Sequence, residues 1–284
     1  MEKIQNYLAT QYPNAVVRFI GAGWDSYAFM IDNYIARFSK LKSSNYEFEK
    51  KVLDYIRDKV PVPTPRIEIV YDGPYVYSLH KSLPGAQWDP HDVLNTWDPK
   101  KRMNLIQDFA DFLVALHAID VHQMQASIPE LEYFSYTPYP AEYLESIVHK
   151  YVTKSEFATF YQKYTQMCQN NRITVPVLLH RDYGGHNCLV DPHGHLCGVI
   201  DFNGVRIGQP DMDILRAADH GPFLDAVRKI YESKTGRKID VERGYQDRFI
   251  EYVHAIVRLW ESHNSMDMKE QSIKSFVDGT LKRL

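Results

Sequence analysis

The sequence predicts an α+β protein of two lobes, an N-terminal antiparallel sheet carrying one helix and a mainly helical C-terminal lobe. Three observations point that way. Short alternating and β-branched runs crowd the first 80 residues, whereas from Asp98-Pro99 onward apolar residues recur at helical spacing. Between them, Pro61-Val62-Pro63-Thr64-Pro65 and the run from Tyr75 to Gly85 read as a passage from the small lobe to the large one. Late in the chain, two short aliphatic runs flank the turn-rich Asp191-Pro192-His193-Gly194, which predicts a lone hairpin within the helical part. Residues 1–80 are therefore assigned to one lobe and 81–284 to the other.

The N-terminal elements follow in order. Residues 1–12 read as a short helix. Residues 15–21 and 25–32 read as strands flanking Gly21-Ala22-Gly23-Trp24, and Tyr34-Ile35-Ala36-Arg37-Phe38 follows the Asp32-Asn33 turn as a third strand. Gly21 and Gly23 let the backbone approach phosphates without a Cβ in the way. No Gly-Lys-Ser/Thr follows, and Ser26 holds the place of the third glycine of a dinucleotide fingerprint, so the loop fits neither of those motifs. A strand, a Gly loop bounded by Gly21, Gly23 and Ser26, and a second strand instead match the flap that covers a kinase nucleotide.

Ser44-Asn45-Tyr46-Glu47 predicts a capping box opening a helix that runs to about Lys59. Glu49 precedes Val52, Leu53 and Ile56 by three, four and seven residues, so it shares their inward face. A buried carboxylate requires a partner, and Arg37 on the preceding strand is the nearest candidate. Ile35 faces the same way as Arg37 and is expected to line an adenine slot. Strands near 66–71 and 75–80 follow, and the backbone around His80 and Ser82 forms the expected adenine hinge. Beyond it, Asp98 and Pro99 open a helix whose inward face is Leu105, Phe109, Phe112, Leu113 and Leu116. Further helices are expected near 139–150, 154–170, 211–219, 222–234, 240–262 and 266–282.

The predicted hairpin carries the chemistry. His180-Arg181-Asp182 is followed by Asn187, and Ile200-Asp201-Phe202 lies beyond the turn. Pairing residues 188–190 with 198–200 sets Asn187 and Asp201 side by side at its open end. An amide oxygen and a carboxylate held together suit Mg²⁺, which keeps waters and substrate phosphates as its other ligands. Asp182 enters the same mouth, where it can orient and deprotonate a hydroxyl.

These segments, with Val60 to Pro65, Leu83-Pro84-Gly85, Phe112 to His117 and Ile200 to Asp213, resemble in order and spacing the aminoglycoside and macrolide phosphotransferases, antibiotic kinases of the protein-kinase-like fold. The resemblance spans nearly the whole chain. It implies that Asp182 is the catalytic base, that Asn187 and Asp201 are Mg²⁺ ligands, and that Arg37 with Glu49 positions phosphates. It further implies ATP or GTP as the phosphate donor and Asp213 as a structural carboxylate behind the catalytic loop. The chain departs from that pattern in three places. Arg37 replaces the usual lysine, Asn203-Gly204 stands where Gly-Asp is common, and Gln209 replaces a frequent Asp before Pro210.

Composition narrows the class. The chain has 284 residues, 44% apolar and 24% charged, with a net charge of −3, which gives no basic footprint for nucleic acid. No apolar run reaches membrane-spanning length, and a start lacking a hydrophobic signal core agrees with a cytoplasmic protein. Cys188 and Cys197 sit on the hairpin and could face each other, but are expected to be reduced. His186, His193 and His195 read as polar loop residues. The expected partner is a small-molecule hydroxyl acceptor, with no nucleic acid, no membrane, and a monomeric chain.

Acceptor class stays open at this level. An aminoglycoside-like antibiotic is the leading reading, a macrolide or a choline- or homoserine-type metabolite an alternative, and a non-catalytic nucleotide-binding protein the rival of another class. Polycations need carboxylates, for which Glu142, Glu145, Asp211, Asp219, Glu251 and Glu261 are candidates. A macrolide needs an apolar wall, for which Trp260, Phe223, Tyr143 and Tyr183 are candidates. Only eleven residues separate Asp201 from Asp213, too few for a regulatory phospho-segment, so Arg181 is expected to be structural.

Overall fold

A computed structural model describes residues 1–23, 26–40, 45–217, 221–262 and 266–279. Helix α1 (Glu2–Gln11) leads into β1 (Val17–Ala22), β2 (Ser26–Ile31) and β3 (Tyr34–Ser39). Helix α2 (Tyr46–Ile56) precedes β4 (Glu68–Asp72) and β5 (Tyr75–Lys81). The five strands make one antiparallel sheet in the order β1-β2-β3-β5-β4. Alternation divides β3 between two faces. Ala36 and Phe38 join Leu8, Phe29, Ile31 and Tyr77 in a core against α1, which leaves Ile35 and Arg37 on the opposite, half-buried face.

Helix α2 buries Phe48, Glu49, Val52, Leu53 and Ile56, the inward stripe expected of it. It stops three residues short of Lys59, where the Arg57 N–H caps the Leu53 carbonyl. Ser44, the expected cap, lies outside the described residues, and Asn45 takes the N-cap position.

The helical part contains α3 (Pro90–Asn95), α4 (Pro99–His117), α5 (Val121–Ser127), α6 (Ala141–Val148) and α7 (Lys154–Asn170). Four short strands follow, β6 (Val177–Leu179), β7 (Cys188–Val190), β8 (Leu196–Val199) and β9 (Arg206–Gly208). Helices α8 (Pro210–Ala217), α9 (Gly221–Thr235), α10 (Val241–Glu261) and α11 (Met266–Gly279) come last among the described residues. Asp98 caps α4 as expected, accepting the Lys101 N–H at 2.9 Å. The sequence reading missed α3 and α5, which are too short for a periodic stripe, although Asp89 and Asp120 cap them in the ordinary way. It also missed the β6–β9 pairing, which joins three-residue strands distant in sequence. No helix among the described residues is long and apolar enough to cross a membrane.

Candidate active site

The β7–β8 hairpin forms as its sequence predicts. Cys188 pairs with Val199 and Leu189 with Gly198, and the Ile200 N–H donates to the Asn187 carbonyl at 2.9 Å. Asp191 closes the turn by accepting the His193 and His195 N–H groups at 2.8 and 2.9 Å, with Gly194 at φ 84°. This register corrects one expectation, since Cys188 faces Val199 and not Cys197, and both are free thiols. Asn187 and Asp201 thus flank the open end of the hairpin. Asn187 Nδ2 donates to the Asp182 carbonyl at 2.9 Å and to Asp182 Oδ2 at 2.8 Å. Its Oδ1 is left as the acceptor end of the amide.

Two residues here adopt left-handed backbone, Arg181 and Asp201, each at φ 68°. A non-glycine residue in that region costs on the order of 1 kcal/mol or more and persists only where its surroundings hold it. Asp213 provides that hold. Fully buried, it accepts the N–H groups of His180 and Arg181, both at 2.8 Å, and lies 3.3 Å from His117 Nε2. His180 Nε2 in turn lies 3.0 Å from the Ile200 carbonyl, which ties the 180–182 loop to the strand end before Asp201.

Arg37 joins the sheet to this mouth. Its guanidinium donates to Glu49 Oε1 at 2.8 Å and to Asp201 Oδ1 at 3.1 Å. The Glu49 side chain is 0% exposed and that of Arg37 13%. Glu49 Oε1 also accepts the Phe202 N–H at 3.2 Å, whereas buried Oε2 has no hydrogen-bond partner among the described residues. Burial alone would weaken the hold of Arg37 on its proton, and the Glu49 and Asp201 carboxylates reverse that.

The remaining nucleotide-side residues lie around the same sheet face. The Gly23 N–H donates to the Ser26 carbonyl at 2.9 Å, while Trp24 and Asp25 between them lie outside the described residues. A Cβ added at Gly21 would meet nothing of the chain within 4 Å, so packing within the protein does not demand glycine there. Ile35 stands opposite His80 in the β3–β5 register. His80 is buried, with Nδ1 2.9 Å from the Lys81 carbonyl, and the Ser82 N–H is committed to the Asn33 carbonyl at 2.7 Å. By antiparallel alternation Lys81, between them, turns its own N–H and C=O away from β3.

The other side of the mouth is cationic. Arg216 on α8 donates from Nε to Asp182 Oδ1 at 3.0 Å and also from Nη2, while His186 Nε2 lies 3.1 Å from Oδ2. Burial alone would raise the proton affinity of Asp182, but His186 and Arg216 hold its carboxyl well below the usual carboxylate range. The hydrogen bond to Asp182 in turn raises the pKa of His186. Sequence reasoning took His186 for an ordinary loop residue and did not single out Arg216 at all. Its spacing three residues after Asp213 on one helix was the only available signal.

Arg181 is structural, as expected, donating to the Gly204 carbonyl at 3.0 Å and pairing with Glu251 on α10. Gln209 fills its unusual position with backbone contacts, its Oε1 accepting the Thr174 and Val175 N–H groups at 2.9 and 2.6 Å. Of the aromatic candidates, Tyr183 and Phe223 are buried core residues packed against Phe109, with ring centroids 4.0 and 5.5 Å from it. Among the acidic candidates, Asp211 is buried and accepts the Asp240 N–H at 2.6 Å, and Glu261 accepts the Tyr143 hydroxyl at 2.6 Å. Asp219 lies outside the described residues.

Known structures share this architecture. The GDP and kanamycin complex of APH(2")-IIia superposes with a TM-score of 0.74 at 17% identity, over 100% of this chain and 98% of that one. ADP-bound aminoglycoside phosphotransferase APH(2'')-Ib gives 0.68 at 20% identity over 99% and 98%. Macrolide 2'-phosphotransferase MphH from Brachybacterium faecium gives 0.64 at 11% identity, over 97% of each chain. At such identities the likeness establishes the protein-kinase-like fold. No curated protein matches the sequence. The model of the APH phosphotransferase enzyme family matches residues 16–246, well over half of the sequence, and this chain belongs to that family.

Proposed function

We propose that the protein transfers the γ-phosphate of ATP or GTP to a hydroxyl of a small molecule, with Mg²⁺ as the required cation. One observation carries this reading. The hairpin brings Asp182, Asn187 and Asp201 to a single mouth, and Arg37 ties that mouth to the sheet through Glu49. Among the described residues no three His, Cys, Asp or Glu side chains form a metal cluster. That agrees with Mg²⁺, which takes one or two protein oxygens and draws its other ligands from phosphates and water. Asn187 Oδ1 and the Asp201 carboxylate are the oxygens that would hold it. The ion would supply charge neutralisation on the transferring phosphoryl group.

The chain's own groups have distinct tasks. Arg37, fixed by Glu49, presents a fork-shaped donor to the α- and β-phosphates, a geometry that a lysine would offer only as a point charge. Gly21, Gly23 and Ser26 bring backbone close to the phosphates, and Ile35 with the strand end at His80 to Ser82 receives the adenine or guanine ring. Asp182, kept ionised by Arg216 and His186, orients the acceptor hydroxyl and takes its proton as the oxygen attacks phosphorus. Most of the rate enhancement then arises from positioning. The short link from Asp201 to Asp213 leaves the acceptor side open to a small molecule.

The test is Asp182→Asn. Acceptor-stimulated release of nucleoside diphosphate should fall by roughly a thousandfold, while calorimetry still detects magnesium-nucleotide binding. Retained turnover would remove Asp182 from the base role.

A further inference from the structure

The chain that leaves the expected adenine hinge does not run straight to α3. Two residues after Ser82 it lies down along the β7–β8 hairpin. Ala86 and Val190 exchange both backbone hydrogen bonds, at 3.0 and 2.9 Å, and the Trp88 N–H donates to the Gly185 carbonyl at 3.1 Å. Between these contacts, Gln87 Nε2 donates to the His186 carbonyl at 2.5 Å. Two glycines allow the approach. A Cβ on Gly185 would collide with the Trp88 carbonyl oxygen, and one on Gly85, at φ 100°, with Cys197 Sγ. Buried Trp88 fixes the far end, its ring packed against Phe109 and Phe223.

Residues 84–88 therefore touch the turn that carries Asn187. The peptide joining His186 to Asn187 is claimed at both ends, its N–H by the Gly184 carbonyl at 2.9 Å and its C=O by Gln87. Asn187 Nδ2 is in addition tied to Asp182, so backbone and side-chain amide together settle where Oδ1 stands. Gln87 is exposed, and a hydrogen bond in contact with water adds little to folding. Its place directly behind Asn187 gives it a different use, because the groups that hold a metal ligand from behind decide how that ligand is oriented.

We propose that Gln87 is a positioning residue for the Mg²⁺ site, acting through the His186 carbonyl, and that residues 84–88 keep the hinge and the Asn187 turn in one register. This rests on reading Asn187 as a metal ligand and extends that reading to a residue outside the catalytic loop. Without the Gln87 donor, the His186 carbonyl turns to water and its peptide is free to rotate. The direction of Asn187 Oδ1 is then held by the Asp182 contacts alone.

The experiment uses Gln87→Met, which keeps the length of the side chain and removes its donor, with Asn187→Ala as the control. Binding of ATP and of GTP is measured by calorimetry, in EDTA and with Mn²⁺, alongside thermal unfolding and amide hydrogen exchange. In Gln87→Met the gain in nucleotide affinity on adding Mn²⁺ should shrink by about tenfold, toward that of Asn187→Ala. Metal-free affinity and the unfolding midpoint should stay at wild-type values, and the Asn187 and Cys188 amides should exchange faster. A wild type that gains nothing from Mn²⁺, or that keeps its gain in Asn187→Ala, removes the metal-ligand reading and this proposal with it. Where Asn187→Ala abolishes the gain and Gln87→Met leaves it whole, the metal-ligand reading stands and the proposal falls. A lowered midpoint in Gln87→Met with an unchanged gain would likewise reduce Gln87 to a structural contact.

Discussion

The two sides of the mouth are held together in opposite ways. On the nucleotide side, Arg37 and Glu49 form an ion pair shut away from solvent. On the acceptor side, Asp182 is held by Arg216 and His186 at the surface, with side-chain exposures of 36, 29 and 62%. A buried pair couples function to folding, because removing one partner strands a charge in a poor solvent. An exposed cluster adds little stability, since water and salt screen it, but it still sets the protonation state of the group it surrounds. The structure therefore separates a buried ion pair that joins the sheet to α2 from an exposed charged cluster around the residue proposed as the base.

Substitutions on the two sides should diverge accordingly. The largest effect is expected from Arg37→Ala, which leaves Glu49 buried and unpaired. Denaturant unfolding should show a loss of about 3–5 kcal/mol, together with weakened magnesium-nucleotide binding, and an unchanged midpoint would show that the pair is not structurally coupled. Gln209→Ala should cost about 1–3 kcal/mol by leaving the Thr174 and Val175 N–H groups unpaired. Arg216→Gln should change stability by less than about 1 kcal/mol and act instead on the pH profile. The depressed carboxyl of Asp182 stays charged until pH falls below the ordinary aspartate range. Without Arg216 its proton affinity rises, so activity should be lost at higher pH on the acid side than in the wild type. An acid limb that does not move would detach Arg216 from Asp182.

The smallest effect concerns His186. With its folded pKa raised by Asp182, its contribution to stability is fully present below the unfolded value of about 6.5 and fades as pH rises through the folded one. NMR titration should place His186 above that unfolded value in the wild type and nearer to it in Asp182→Asn.

The same division governs what the sequence made legible. The placement of Arg37, Glu49, Asp182, Asn187 and Asp201 was readable because each sits at a fixed offset within a strand, a helix or one hairpin, where local periodicity dictates the facing side. The Glu49 spacing to Val52, Leu53 and Ile56 placed it inward, and the structure buries it there. Arg216 and Glu251 were not read in their roles because their partners lie 34 and 70 residues away on other elements, and no local pattern encodes which helices meet. Tyr183 and Phe223 were left open between an apolar wall and the core for a related reason, since an aromatic on a loop or a helix end looks alike in sequence whether it faces a ligand or the core, and the structure buries both. The short helices α3 and α5 escaped for want of length, not of capping signals.

The central claim is that Asn187 and Asp201 share one divalent ion next to Asp182. A crystal structure with Mn²⁺ and a non-hydrolysable ATP or GTP analogue tests it most directly, because the anomalous signal locates the ion without reference to the fold. The account predicts a peak within about 2.0–2.3 Å of both Asn187 Oδ1 and an Asp201 oxygen, with the γ-phosphate facing Asp182. A metal bound by other side chains, or nucleotide bound with these two residues turned away from it, would contradict it.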